Sequence, residues 1–308
     1  MEKPIMSSGP HIHSHASSRR IMLDVIIALL PAAIAGVVLF GLPALWLIVT
    51  CVAAAVISEY LFNLIAKRKQ SVGDLSAVVT GLLLALNLST AVPLWQAALG
   101  SVFAIVLVKC AFGGIGHNIA NPAIAARVFL LLSFGSLTAG FPAPRGVDAF
   151  SGATPLALLA EGNTGELPSL LQMFLGQRGG AIGETCILAL LIGFAYLLIR
   201  KVISWQTPVI FMGTVFVLSL VFGGFTVAVY ELLAGGLVLG AVFMATDYST
   251  TPITARARML FALGCGLITF VIRWFFTLPE GVSYSILCMN LMVPWLERWT
   301  RRKPLGGV

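Results

Sequence analysis

Residues Ile21–Phe40 read IMLDVIIALLPAAIAGVVLF. The twenty positions carry one charge, Asp24, and one proline, Pro31. A hydrocarbon layer about 30 Å thick is crossed by about twenty apolar residues in helical form. This stretch therefore predicts a membrane span. No shorter apolar run precedes it, since the first twenty residues are polar up to Arg19-Arg20. That pattern does not read as a cleavable signal peptide.

The rest of the chain repeats the pattern. Apolar segments follow at roughly 44–66, 76–88, 93–112, 119–139, 183–199, 207–222, 227–245, 258–277 and 282–299, which makes ten. Of the 308 residues, 58% are hydrophobic and 10% charged. Soluble domains run at roughly 45–50% and about 25%. So little charge could not clothe a soluble core, which excludes a soluble enzyme, a disordered chain and a nucleic-acid binder. The five cysteines all fall in apolar runs without a C-x-x-C pair, and read as small core residues.

The net charge of +7 is a topology signal. With the N-terminus inside, the inner loops and ends hold Lys3, Arg19, Arg20, Lys67, Arg68, Lys69, Arg200, Lys201, Arg256, Arg258, Arg298, Arg301, Arg302 and Lys303. The outer loops hold only Arg145 and Arg178. Both termini are thus expected in the cytoplasm. The expected organisation is a cytoplasmic tail (1–20), a first transmembrane half (21–139), an outer loop (140–182), a second transmembrane half (183–299) and a second tail (300–308). Five spans per half require any internal repeat to be inverted. Gly81–Leu86 followed by Ser89-Thr90 and Pro93 is echoed by Gly236–Ala241 followed by Ser249-Thr250 and Pro252. That echo predicts broken helices in the third and eighth segments. Broken helices need protein or a cavity around their freed backbone.

Polar residues stand out against this background. Asp24, Glu59, Lys109, Arg127, Glu184, Glu231, Asp247 and Arg273 fall in or at the ends of segments. Lys109 and Arg127 are expected to snorkel to the cytoplasmic face, and Glu184 to sit at a helix N-terminus. Asp247, Glu59 and Asp24 are the ion-path candidates. The turn Gly113–Pro122 ends in a proline suited to a helix start, with Asn118 and Asn121 presenting amides beside it. His11, His13 and His15 alternate in the tail and read as an exposed stretch without metal. There is no G-x-G-x-x-G unit and no iron–sulfur cysteine set, so NAD or ferredoxin would be handled by partners.

In the long loop stands Asp148-Ala149-Phe150-Ser151-Gly152-Ala153-Thr154. Taken alone, Ser-Gly-Ala-Thr-Pro is a turn. The whole string resembles the D-x-x-[ST]-G-A-T acceptor pattern of covalent flavinylation. Further motifs occur in order: Pro10-His11, Ile21–Ala32, Asp74–Asn87, Gly113–Ala123, Gly180–Thr185 and Met244–Asp247 with Thr251-Pro252. Together they resemble the RnfD component of the Rnf ion-translocating electron-transport complex, and its relative, the NqrB component of the sodium-pumping NADH:quinone oxidoreductase. Ala181 and Ala120 depart from the pattern without touching the threonine.

The resemblance implies an all-α fold of ten helices in two inverted halves, in the cell (inner) membrane. It implies covalent FMN on Thr154, with Asp148, Ser151, Gly152 and Ala153 as the recognition string. It also implies a non-covalent riboflavin near Asn118 and Asn121. Implied partners are a flavin transferase, flavoprotein, iron–sulfur and NAD-binding subunits and the lipid bilayer, with no nucleic acid. Electrons would cross between the outer flavin and the cytoplasmic side, coupled to Na⁺ or H⁺ transport. The short N-terminal tail favours the Rnf side. The alternatives are the quinone-reductase component and, from another class, a non-redox transporter or channel.

Overall fold

The computed structural model describes residues 17–134, 140–142, 144, 154–160, 165, 167–276 and 281–300. Twelve helices and no strand occur among the described residues. They are α1 (Ser18–Phe40), α2 (Leu42–Ile65), α3 (Ser76–Leu86), α4 (Leu94–Phe103), α5 (Pro122–Ser133), α6 (Pro155–Ala160), α7 (Leu170–Leu175), α8 (Ile187–Ile199), α9 (Gln206–Leu233), α10 (Leu237–Leu239), α11 (Ala255–Phe275) and α12 (Gly281–Thr300). Two widen into π-helix: α4 through Ala104–Cys110 and α10 through Gly240–Met244.

The helices α1, α2, α9 and α11 are long and apolar enough to cross a membrane. Their outward faces carry unshielded apolar side chains, among them Ile34, Val38, Ile65, Val221 and Phe225. In water such a continuous apolar surface would be unfavourable; in lipid it is the appropriate solvent-facing side. The chain is a polytopic, all-helical membrane protein.

Packing follows one plan in each half. α2 packs on α3 and α4, while α9 packs on α10 and α11. α1 against α8, and α5 against α12, join the halves. Gly81 permits one of the close contacts. A Cβ there would stand 2.8 Å from the Cys51 carbonyl and from Val52 Cα, so α3 and α2 meet backbone to backbone.

The expected segments shift where backbone geometry intervenes. The third is short as predicted: α3 has 11 residues and gives way to irregular chain at Asn87–Pro93. The eighth is broken as predicted, but inside its span: α9 ends at Leu233 and α10 begins at Leu237. The turn between segments seven and eight is only Gly224, at φ 79° and ψ 177°. The fifth, expected at 119–139, is helical over Pro122–Ser133, because Asn121 caps it. The sixth, expected from 183, starts at Ile187, because 181–186 runs as non-helical chain. The loop between the halves contains α6 and α7. Three cysteines are buried as expected, but Cys288 lies exposed on α12.

Gly81→Val should place atoms into the α2 backbone and lower stability by about 1–3 kcal/mol. Gly73→Ala, where a Cβ meets nothing within 4 Å, should leave it unchanged. Thermal unfolding in detergent compares the two.

Candidate functional site

Two clefts gather the polar residues. The first lies where α3, α5 and both π-helical segments converge. It has about 710 Å³ of empty space including its mouth, and Asn118, Asn121, Asp247 and Lys109 all border it. The turn that forms one wall reverses through Gly113, Gly114 and Gly116, all at positive φ. Asn121 then caps α5, its Oδ1 accepting from the N–H groups of Ala123 (3.0 Å) and Ile124 (3.3 Å). Its Nδ2 donates to the Met244 carbonyl at 3.4 Å. With its amide oriented to suit both neighbours, Asn290 of α12 accepts from Asn121 N–H at 3.0 Å and donates to the Thr250 carbonyl at 3.1 Å. Asn121 is therefore a cap and a cross-link between the halves.

Asn118 differs. Its Oδ1 is buried and has no partner among the described residues. A buried amide oxygen without a donor is costly, so an N–H or O–H donor from a ligand in the cleft would suit it. Asp247 lies on the same cleft, half-buried, accepting from the Ser249 (3.0 Å) and Thr250 (3.1 Å) hydroxyls. Burial pushes its carboxyl up from the ordinary range, against those two hydroxyls.

Lys109 does not snorkel. It is 2% exposed, and its Nζ donates to Glu59 Oε1 (2.9 Å) and Ser76 Oγ (2.5 Å). Ser71 Oγ donates to the same Glu59 oxygen at 2.5 Å. The π-helical turn carries Lys109 to α2, away from the helix end toward which its stem would have to run. Glu59 is thereby charge-paired, although its Oε2 has no partner among the described residues. Asp24 is likewise paired, accepting from Tyr196 Oη (2.9 Å) and Arg200 (3.1 and 3.3 Å). Of the three ion-path candidates, only Asp247 has no basic partner among the described residues.

The second cleft, with about 360 Å³ of empty space, is bordered by Thr154, Arg178, Glu184, Phe141, Leu156 and Gly235. Thr154 is half-buried, and its Oγ1 accepts from Ala157 N–H at 3.3 Å to cap α6. Asp148, Ser151, Gly152 and Ala153 lie outside the described residues, as does the histidine tail.

Three arginines surround the break between α9 and α10. Arg273 donates to the Glu231 carboxylate (2.7 Å) and to the carbonyls of Glu231 (2.8 Å) and Ala234 (3.2 Å). Arg127 donates to Glu184 (3.1 Å) and Asn87 (2.5 Å), so it too is buried instead of snorkelling. Glu184 is not a first-turn residue of α8; its carboxylate pairs with Arg127 beside Gly236, where a Cβ would stand 2.6 Å from its Oε1. Arg178 donates to the carbonyls of Glu184 (2.8 Å) and Leu233 (2.7 Å). Burial pushes its guanidinium down to about 10, so it remains charged at neutral pH. Arg178 and Asn290 were not among the residues singled out by sequence. The signal for Arg178 was its sign: it is one of two basic residues in the segment read as outer.

Removing one member of a buried pair should be worse than removing both. Lys109→Met is expected to cost about 3–5 kcal/mol by leaving Glu59 uncompensated. Adding Glu59→Gln should regain most of the loss in detergent unfolding.

The model of the NQR2, RnfD, RnfE family matches residues 5–306. Three relatives, each the D component of its complex, match nearly the whole chain. The first belongs to the Na(+)-translocating ferredoxin:NAD(+) oxidoreductase complex of Acetobacterium woodii; it is 48% identical over 305 residues, covering 98% of this chain and 95% of that protein. The second belongs to the proton-translocating ferredoxin:NAD(+) oxidoreductase complex of Clostridium ljungdahlii; it is 41% identical over 316 residues, covering 98% and 96%. The third belongs to the ion-translocating oxidoreductase complex of Stutzerimonas stutzeri; it is 38% identical over 331 residues, covering 94% and 93%. From end to end, the chain belongs to the NQR2, RnfD, RnfE family.

Proposed function

We propose that this chain is the RnfD component of an Rnf-type ion-translocating ferredoxin:NAD(+) oxidoreductase, a membrane protein through which electron transfer is coupled to Na⁺ or H⁺ movement. The relatives' names carry the class. The observation that supports the redox role is the position of Thr154, the acceptor threonine of the flavinylation string. It stands half-buried on the border of a cleft that also holds a buried guanidinium.

FMN on Thr154 and riboflavin in the Asn118 cleft would supply the one- and two-electron chemistry when bound. The chain's own residues do the holding. Thr154 Oγ1 is the ester oxygen, presented at the start of α6 where a flavin transferase reaches it from the outer side. Asn118 offers an unsatisfied acceptor to a donor on the edge of a flavin ring. Asn121 fixes the turn on which Asn118 is carried. Leu83, Phe243 and Pro122 line the same cleft and exclude water from it. Asp247 is the carboxylate left to attract a cation at that cleft, with Ser249 and Thr250 oxygens beside it. Glu59 and Asp24 act as counter-charges to Lys109 and Arg200. NAD and ferredoxin are handled by NAD-binding and iron–sulfur partner subunits. The basic loops favour both termini on the cytoplasmic side of the cell membrane, with the 140–182 loop outside.

The test is direct. Wild-type chain coexpressed with a flavin transferase should give a flavin-fluorescent band on a denaturing gel, and Thr154→Ala should be dark. A dark wild-type band would overturn the redox reading. For the ion, inverted vesicles holding the whole complex should take up ²²Na⁺ on addition of reduced ferredoxin and NAD⁺ if Na⁺ is carried. Acidification without Na⁺ dependence would instead assign protons.

A further inference from the structure

Arg178 is more than a backbone clamp. It is 5% exposed and borders the Thr154 cleft. Its two Nη groups are engaged, Nη2 by the Glu184 and Leu233 carbonyls and Nη1 by the Met173 sulfur at 3.6 Å. Its Nε–H has no acceptor among the described residues. Arg127 and Arg273, the other guanidiniums at this break, each face a carboxylate at 3.1 and 2.7 Å. Arg178 has only neutral acceptors among the described residues. The charge of Glu184 also acts on Arg178 but is already paired with Arg127, so one positive charge is uncompensated at this break among the described residues, and a free N–H adds to the cost. A site of this kind is completed by an anion that arrives later.

We propose that Arg178 is the counter-cation of the Thr154 cleft, a positioning residue that balances the negative charge of the phosphoryl ester on Thr154 and of the electron added to its flavin. This rests on the reading of Thr154 as the flavin acceptor. The ester brings one negative charge into the cleft, and one-electron reduction adds another. In that step a reduced mediator loses one electron and the flavin gains it, with no bond broken and no proton moved. A fixed guanidinium favours the gain.

The test is a mediated redox titration of the full chain in detergent, with Thr154→Ala supplying the background from non-covalent flavin. Arg178→Gln should weaken electron affinity on the order of tenfold, a fall of about 59 mV for one electron. Arg178→Lys keeps the charge but not the fork, and should stay close to wild type. A role confined to clamping carbonyls predicts that both variants behave alike. As a measurement without any variant, the flavinyl peptide released from wild type by proteolysis should have a lower potential than the intact protein. A labelled Arg178→Gln chain with unchanged potential overturns the inference. So does a peptide with an equal or higher potential than the protein, even if Arg178→Gln does not fold. A dark wild-type band removes the reading beneath it; a bright band with unmoved potentials removes the counter-cation alone.

Discussion

A helix that stops short among other helices frees carbonyls that water cannot reach, and each must find a donor. Two helices stop this way. The end of α9 is met by side chains: Arg273 takes the carbonyls of Glu231 and Ala234, and Arg178 takes that of Leu233. The end of α3 is met by backbone: Gly183 N–H donates to Leu86 at 2.7 Å and Ile182 N–H to Leu88 at 3.0 Å. The stretch from Arg178 to Glu184 thus serves both breaks. Without these donors the breaks could not persist, and neither cleft would exist.

Charge obeys the same rule. Lys109 with Glu59, Arg127 with Glu184, Arg200 with Asp24 and Arg273 with Glu231 are each brought together from separate segments of the chain. Pairs of this kind add little net stability when desolvation is counted, but they penalise any arrangement that separates them. They fix which helices are neighbours. Among the described residues, the Asn118 oxygen and the Arg178 Nε–H at the clefts are left without partners, and the Asp247 carboxylate has hydroxyl donors but no cation. Both π-helical turns border the first cleft, through Lys109 and Phe243. Each turn places one extra residue per winding and so redirects the side chain that follows.

Class and broken helices were legible because they depend on local composition. Apolar length predicts a span, and the Gly81 and Gly236 stretches marked the interrupted helices. The helix start at Pro122 was legible for the same reason, whereas the capping role of Asn121 emerges only from the fold. The pairings were not legible. Lys109 and Arg127 have stems long enough to snorkel, and only the fold shows that Glu59 and Glu184 lie closer than solvent. Segment ends also eluded reading: hydropathy does not distinguish a first helical turn from non-helical turns such as 181–186. Asn290 carries no sequence mark at all, because its role exists only once α12 packs on α5.

The bridge from Arg178 to Glu184 has a mechanical consequence. It touches the interrupted helix of each half, and Asn290 and Asn121 tie the halves again elsewhere. Transporters with inverted repeats commonly work by rocking one half against the other. Here that motion would pull the Ile182 and Gly183 N–H groups off the end of α3, or Arg178 off the end of α9. The same few hydrogen bonds that satisfy the interrupted helices therefore also resist displacement of one against the other.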